Sequence, residues 1–183
     1  MRKIYTVGHS SHHIEHFIDM LKAHSVNCIV DVRSVPYSKF KHFCKEELAT
    51  SLKRNSIFYL PFADEFGARR KEKALLDEQG KVDFEKVRST APFQRGVERL
   101  KNGAQKGFTI ALMCAESEPL ECHRFGMVVP ALRNEFEVLH ILKDKRVKTN
   151  AQLEKEILLK YKVSDLKEAY RLLNKQIAYK PYK

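Results

Sequence analysis

Three features of the chain predict a three-layer α/β domain with a mostly parallel sheet of about five strands. Short apolar runs of strand length alternate with segments whose apolar residues recur at helical spacing. The run Cys28-Ile-Val-Asp-Val-Arg-Ser34 is continuously apolar up to its charged end, as suits a parallel strand covered on both faces. No internal repeat or low-complexity linker breaks the alternation. Right-handed crossovers then bring every parallel strand's carboxyl end to one edge of the sheet.

The elements follow in order. Ile4-Tyr-Thr-Val7 is a short β-rich run that stops at Gly8-His9-Ser10. Ser11 is a fitting N-cap for a helix carrying Ile14, Phe17, Ile18 and Leu21. A glycine turn feeding a helix N-terminus would offer backbone N–H groups and a positive dipole to an anion. Cys28 to Ser34 is the second strand, with Asp31 and Arg33 at its end and Pro36 beyond. Phe43 to Asn55 reads as a short helix, Ile57 to Phe62 as a third strand, and Gly67 to Lys73 as a basic loop. Leu75 to Thr90 lacks a clear period and reads as an excursion with weak helices. Pro92 to Leu100 is the helix before the central strand, closed by Gly103 and Gly107.

The central strand is Phe108 to Met113; it ends in Cys114 and Glu116, and an acidic loop with Pro119 follows. Cys122-His-Arg124 then opens an apolar segment of helical length, Phe125 to Leu132. Phe136 to Leu142 is the next strand, and Lys143 to Lys148 a basic connector. Thr149-Asn-Ala-Gln152 has the capping-box pattern, with Leu153, Ile157, Leu158 and Tyr161 as the helix's apolar face. A second helix starts from Ser164-Asp165, and the tail from Ala178 to Lys183 reads as loose. These boundaries divide the 183 residues into an α/β domain, 1–148, and a two-helix appendage packed on it, 149–183.

Composition narrows the function classes. A hydrophobic fraction of 43% beside a charged fraction of 31% supports a real core and excludes disorder. No apolar run reaches bilayer-spanning length, and the N-terminus reads straight into a strand, so the expectation is a cytoplasmic protein without membrane contact. The four cysteines then do not form a disulfide framework. Cys28 lies within an apolar run and reads as a small buried hydrophobe; Cys44, among Lys41, His42 and Lys45, reads as a solvated loop thiol. The net charge of +11 favours acidic partners: nucleic acid, nucleotides or phosphorylated metabolites.

Chemistry gathers where the strands end, the place where open α/β sheets bind ligands. The candidates are Gly8, His9 and Ser10; Asp31 and Arg33; the loop containing Arg70; and Cys114, Glu116, Cys122, His123 and Arg124. Three readings fit them. In one, a cysteine is an active thiolate. Cys122 is the better placed, beside Arg124 at a helix start, with His9 or His123 as base or acid and Arg33, Arg70 and Arg124 as anion holders. In another, Cys114, Cys122, His123 and His9 bind zinc, although the spacing is wide and no Cys-x-x-Cys occurs. In the third, the thiols are buried and the charges pair among themselves.

Tyr5-Thr-Val-Gly-His-Ser10, Asp31-Val-Arg-Ser-Val-Pro36, the loop from Gly67 to Arg70, and Leu112-Met-Cys-Ala-Glu116 with Cys122-His-Arg124 occur in that order. Together they resemble an uncharacterised family catalogued as domain of unknown function four-eight-eight, over roughly Ile4 to Leu142. The resemblance implies a Rossmann-like fold and maps signature residues onto Gly8, His9, Ser10, Asp31, Arg33, Pro36, Gly67, Arg70, Cys114, Glu116, Cys122, His123 and Arg124. Ala68 departs from the family's paired glycines, and no activity comes with the family. The expectation is an enzyme, thiol-based transferase or hydrolase, acting on a phosphate-bearing or anionic ligand without an organic cofactor or assigned metal. The alternatives are a non-catalytic nucleic-acid-binding module using the basic loops and tail helices, or a structural zinc protein.

Overall fold

The computed structural model describes residues 1–181. Strand β1 (Arg2–Gly8) leads through helix α1 (Ile14–Lys22) to β2 (Cys28–Asp31), and a 3-10 turn at Lys41–Phe43 precedes α2 (Lys45–Arg54) and β3 (Phe58–Pro61). After β3 come α3 (Ala63–Phe66), α4 (Phe84–Arg88) and the long α5 (Ala91–Gln105), which returns the chain to β4 (Ile110–Cys114). A turn at Pro119–Glu121 and a π-helical stretch at Arg124–Val128 run into α6 (Val129–Leu132). Strands β5 (Phe136–Ile141) and β6 (Val147–Thr149) and helices α7 (Asn150–Tyr161) and α8 (Leu166–Ile177) complete the fold.

The six strands lie in the order β3-β2-β4-β1-β5-β6. All neighbours are parallel except β5 and β6. This is the expected Rossmann-like three-layer architecture, with β4 inserted between β1 and β2. Gly8 of β1 stands opposite Cys114 of β4, and Asp31 of β2 opposite Met113. Strand alternation sorts the side chains. Tyr5, Val7, Ala111 and Met113 meet α1 and α2 on one face, through Phe17, Leu21, Leu48 and Leu52. Ile4, Leu112 and Cys114 point to the other face, into a larger core that includes Phe93, Phe125, Leu153 and Leu173 from α5, the π-helical stretch, α7 and α8. The two C-terminal helices therefore share a core with the sheet.

The capping box at Thr149 and Gln152 is present, and Asp165 caps α8 by accepting from the Glu168 N–H. Five readings are corrected. The Lys143 to Lys148 connector ends in a sixth strand, too short for its alternation to register in sequence. Helix α1 is capped by His13 without a side-chain bond, because Ser10 turns the chain with a φ of 47° and delays the helix beyond Ser11. Helix α5 runs through Gly103 to Gln105 before stopping at Gly107, whose φ is 89°. The segment after Cys122 begins as a π-helical turn, fully buried from Arg124 to Val128. The tail is docked as far as described: the Tyr179 carbonyl accepts from the Val82 N–H at 2.9 Å. Residues 182 and 183 of that tail lie outside the described residues.

Candidate functional site

The carboxyl ends of β1, β2 and β4 meet at one rim, and Gly8 explains how closely. The chain after β4 folds back across the end of β1, so that a Cβ on Gly8 would lie 1.9 Å from the Glu116 carbonyl oxygen. Backbone bonds hold the crossing: the N–H of His9 donates to the Cys114 carbonyl and that of Ser10 to the Ala115 carbonyl, both at 2.9 Å. Those two N–H groups are thereby committed within the protein, and α1 starts too late to present its N-terminus beside them. Gly8, His9 and Ser10 build the floor of the site.

Arg124 clamps the same loop from beneath. It is fully buried, with Nη1 donating to the Glu116 carbonyl at 2.6 Å and Nη2 to the Ser117 carbonyl at 3.0 Å. Arg70 has a similar occupation, donating to the carbonyls of Asp64 and Glu65 at the end of α3. Both arginines were expected at a ligand; both fasten backbone. Arg69 instead reaches the rim, stacked over the Tyr179 ring at 4.5 Å.

At the end of β2, Arg33 and Asp31 form a buried ion pair, with Nη2 to Oδ2 at 2.6 Å and Nε to Oδ1 at 2.9 Å. Tyr59 donates its hydroxyl to Asp31 at 2.7 Å, and Arg33 Nη1 reaches the Phe43 carbonyl at 2.9 Å and His9 Nε2 at 3.3 Å. His9 stacks on Phe43 at 4.3 Å between ring centres. Burial, helped by the Arg33 charge, lowers its pKa to about 4, although a bond to the Ser10 carbonyl works the other way. His9 is thus a neutral buried ring that braces Arg33.

The densest chemistry lies at the β4 turn. Glu116 Oε2 accepts from the Cys114 thiol at 2.8 Å and from the Cys122 thiol at 3.2 Å. His123 Nδ1 stands 3.6 Å from the Cys114 sulfur and 3.9 Å from that of Cys122. Its other nitrogen, Nε2, lies 2.9 Å from the Val32 carbonyl. A carbonyl can only accept, so Nε2 carries the proton and Nδ1 is the atom turned to the sulfurs. Tyr179 donates to the second Glu116 oxygen, Oε1, at 2.9 Å. The ligand-type atoms of Cys114, Glu116, Cys122 and His123 all fall within 4.8 Å of one another. The group is the expected Cys/Cys/His set with Glu116, and not His9, as its fourth member.

Burial raises the pKa of the Cys114 thiol well above the ordinary range, and the neighbouring Cys122 and Glu116 add to the effect. Burial acts in the same direction on Cys122, but the Cys114 hydrogen bond, Arg124 and His123 outweigh it and bring its pKa down to about 6. The two sulfurs titrate as a pair, with Cys122 the more acidic member. Glu116, despite its burial, is held at about 2 by hydrogen bonds from Cys114, from its own backbone N–H and from Cys122. The pKa of His123 rises against its burial through the bond to Cys122.

A cavity of about 160 Å³ opens on this cluster, lined by Arg33, Ser34, Tyr37, Arg69, Cys114, Glu116, His123 and Tyr179. A neighbouring hollow of about 380 Å³, bordered by His9, Ser10, Ser11, Lys39 and Phe40, shares Tyr37 and Ala115 with it. Cys122 is fully buried and lines neither, so Cys114 is the thiol that reaches the cavity.

The family model of the domain of unknown function DUF488 matches residues 13–128. The chain belongs to this family. No curated protein and no solved structure matches it. The match to DUF488 covers the ends of β2 and β4 and the Cys122-His123-Arg124 turn, which are the segments that converge here. Sequence reasoning missed Tyr179, Tyr37 and Tyr59, and in the loop from Gly67 to Arg70 it chose Arg70 where Arg69 lines the cavity. Tyr179 follows an amphipathic helix in a polar tail, and no local pattern ties it to Glu116. The signal that was present is Gly8: a glycine ending an apolar strand marks a close backbone approach.

Proposed function

We propose that this DUF488 chain is an enzyme acting on a phosphate-bearing or otherwise anionic ligand, a nucleotide in preference to a longer nucleic acid. The observation that carries the reading is the pair of adjoining hollows. The smaller, at about 160 Å³, has room for a phosphate and is lined by Arg33 and Arg69 as well as by Cys114, Glu116 and His123. The larger has room for the body of the molecule, and Tyr37, 73% exposed between them, offers a ring for stacking. Arginine paired with an anionic group gives a strong, directional contact. The reaction, hydrolysis or group transfer, falls at the wall where the anionic end meets the ionisable cluster. A covalent thiol route narrows to Cys114, since Cys122 lies sealed beneath.

In the basic connector, which the nucleic-acid-binding alternative would use, three of the four cations stand in exposed ion pairs. Arg146 meets Asp144, Lys145 meets Asp19 and Lys148 meets Glu156. Calorimetric titration with nucleoside monophosphates and inorganic phosphate tests the proposal. Arg69→Ala is expected to weaken both ligands about tenfold or more, from the loss of a charge-assisted contact. Tyr37→Ala is expected to weaken only the nucleotide, by about tenfold, from loss of stacking. Unchanged affinity in both variants would count against the reading.

A further inference from the structure

The rim cluster has the anatomy of a metal centre, and we infer that Cys114, Cys122, His123 and Glu116 bind one borderline-soft divalent cation, zinc being the best fit. The inference deepens the proposed function by naming the cofactor of the same site.

The donor set comes first. Two sulfurs, one imidazole and one carboxylate select zinc-like ions over magnesium or calcium, which prefer oxygen. The spacing comes next. Bonds of about 2.3 Å to sulfur and about 2.0 Å to nitrogen or oxygen place tetrahedral donors about 3.5–3.8 Å apart. His123 Nδ1 already stands 3.6 and 3.9 Å from the two sulfurs. The Glu116 contacts, at 2.8 and 3.2 Å, must lengthen by less than about 1 Å once the thiol protons leave, and every other pair of donor atoms already lies within 4.8 Å.

The outer contacts complete the case. Metal-bound histidines usually donate their second nitrogen to a carbonyl, which turns the bare nitrogen to the ion; here Nε2 donates to Val32. The Tyr179 hydroxyl fixes Glu116 Oε1 and leaves Oε2 facing the sulfurs. The Arg124 N–H points to the Cys122 sulfur at 3.4 Å, a common support for a bound thiolate. His123 and Glu116 are thus oriented by partners from distant parts of the chain, and Cys122 by the turn that follows it.

Three of the four ligands also line the small cavity, so a bound ion would stand in its wall, beside Arg33 and Arg69. There it would act as a Lewis acid toward an oxygen of the anionic ligand, if that oxygen joined as a fifth donor or took the place of Glu116. With the ion bound, both sulfurs serve as ligands and neither is a nucleophile.

The test uses the full-length protein without a histidine tag, purified without chelator and analysed for metals. A chelated sample is then titrated with Zn(II) and Co(II). The expected result is about one equivalent of metal per chain. Co(II) should give thiolate-to-cobalt charge-transfer bands and the strong visible bands of a tetrahedral site. Cys28→Ser should change neither, and Cys122→Ser should abolish both. Tyr179→Phe, which removes one hydroxyl and leaves the packing, should weaken metal affinity on the order of 10–100-fold. That variant carries the test if Cys122→Ser fails to fold. Absence of the cobalt bands in the wild type overturns the inference, as does metal affinity unmoved by Tyr179→Phe. Phosphate titration of the metal-free protein separates the two claims. Phosphate binding without metal binding refutes the metal site and leaves the ligand site standing, and metal binding with no phosphate binding to either the metal-free or the metal-loaded protein does the reverse.

Discussion

Gly8 and the Glu116 carbonyl are so close that a single added carbon on Gly8 would sit 1.9 Å from that oxygen. The loop carrying Glu116 can cross the end of β1 only because residue 8 has no side chain. Gly8→Ala must therefore lift the loop, break the bonds from His9 and Ser10, and move Glu116 away from the sulfurs. Overpacking of this kind costs about 1–3 kcal/mol. Urea denaturation should show that loss together with loss of ligand binding; a variant of wild-type stability with an intact site would contradict it.

Asp31 and Arg33 form a buried pair braced by Tyr59, His9 and Phe43. Asp31→Asn leaves the guanidinium charged in a closed setting. Breaking such a pair from one side costs about 3–5 kcal/mol, far more than the pair contributes beyond a well-packed apolar replacement. Equilibrium unfolding checks this, and a loss below about 1 kcal/mol would contradict it.

His140 is buried between Thr6 and Asn150, and burial with the Arg124 charge lowers its pKa from 6.5 to about 3. The unfolded chain therefore binds more protons than the folded chain between those values. The stabilisation is complete above the unfolded pKa and is lost as pH falls from about 6.5 toward 3, on the order of several kcal/mol in all. His9 acts in the same sense over the narrower window down to about 4. Thermal melts across this range should fall with acidity, and His140→Gln should flatten the slope; an unchanged slope would contradict the assignment.

Cys44 is half-buried and donates to the Ser38 carbonyl, whereas Cys28 and Cys122 are sealed in the core and burial lifts the Cys28 pKa to about 11. Brief alkylation of the native protein followed by peptide mass spectrometry should label Cys44 first. Cys28 and Cys122 should label only on unfolding. Labelling of Cys122 at the rate of Cys44 would reopen the reading in which it is the accessible nucleophile.

Much of the fold was legible because parallel strands buried on both faces leave continuous apolar runs, as in Cys28 to Val30 and Ile110 to Met113. The rim followed from topology: Asp31, Arg33, Cys114 and Glu116 all sit where such strands end. What the side chains do there was less legible. Arg33, Arg70 and Arg124 look alike in sequence, yet Arg33 pairs with Asp31 at the cavity wall while the side chains of the other two donate to backbone carbonyls. A guanidinium's direction depends on backbone oxygens that local patterns do not place. Tyr179 lies 63 residues from Glu116, and only the docking of α8 brings them together. Strand β6 escaped because three residues are too few to show alternation, and its pairing depends on β5.

The proposed chemistry lies in one place, the hollow where β1, β2 and β4 end. The measurement that tests it most directly is diffraction from crystals soaked with a nucleoside monophosphate and Zn(II). The account predicts phosphate density between Arg33 and Arg69, with anomalous zinc density among Cys114, Glu116, Cys122 and His123. Ordered nucleotide only elsewhere, such as the larger cavity between α4 and α8 lined by Arg88, Arg133 and Arg171, would contradict it.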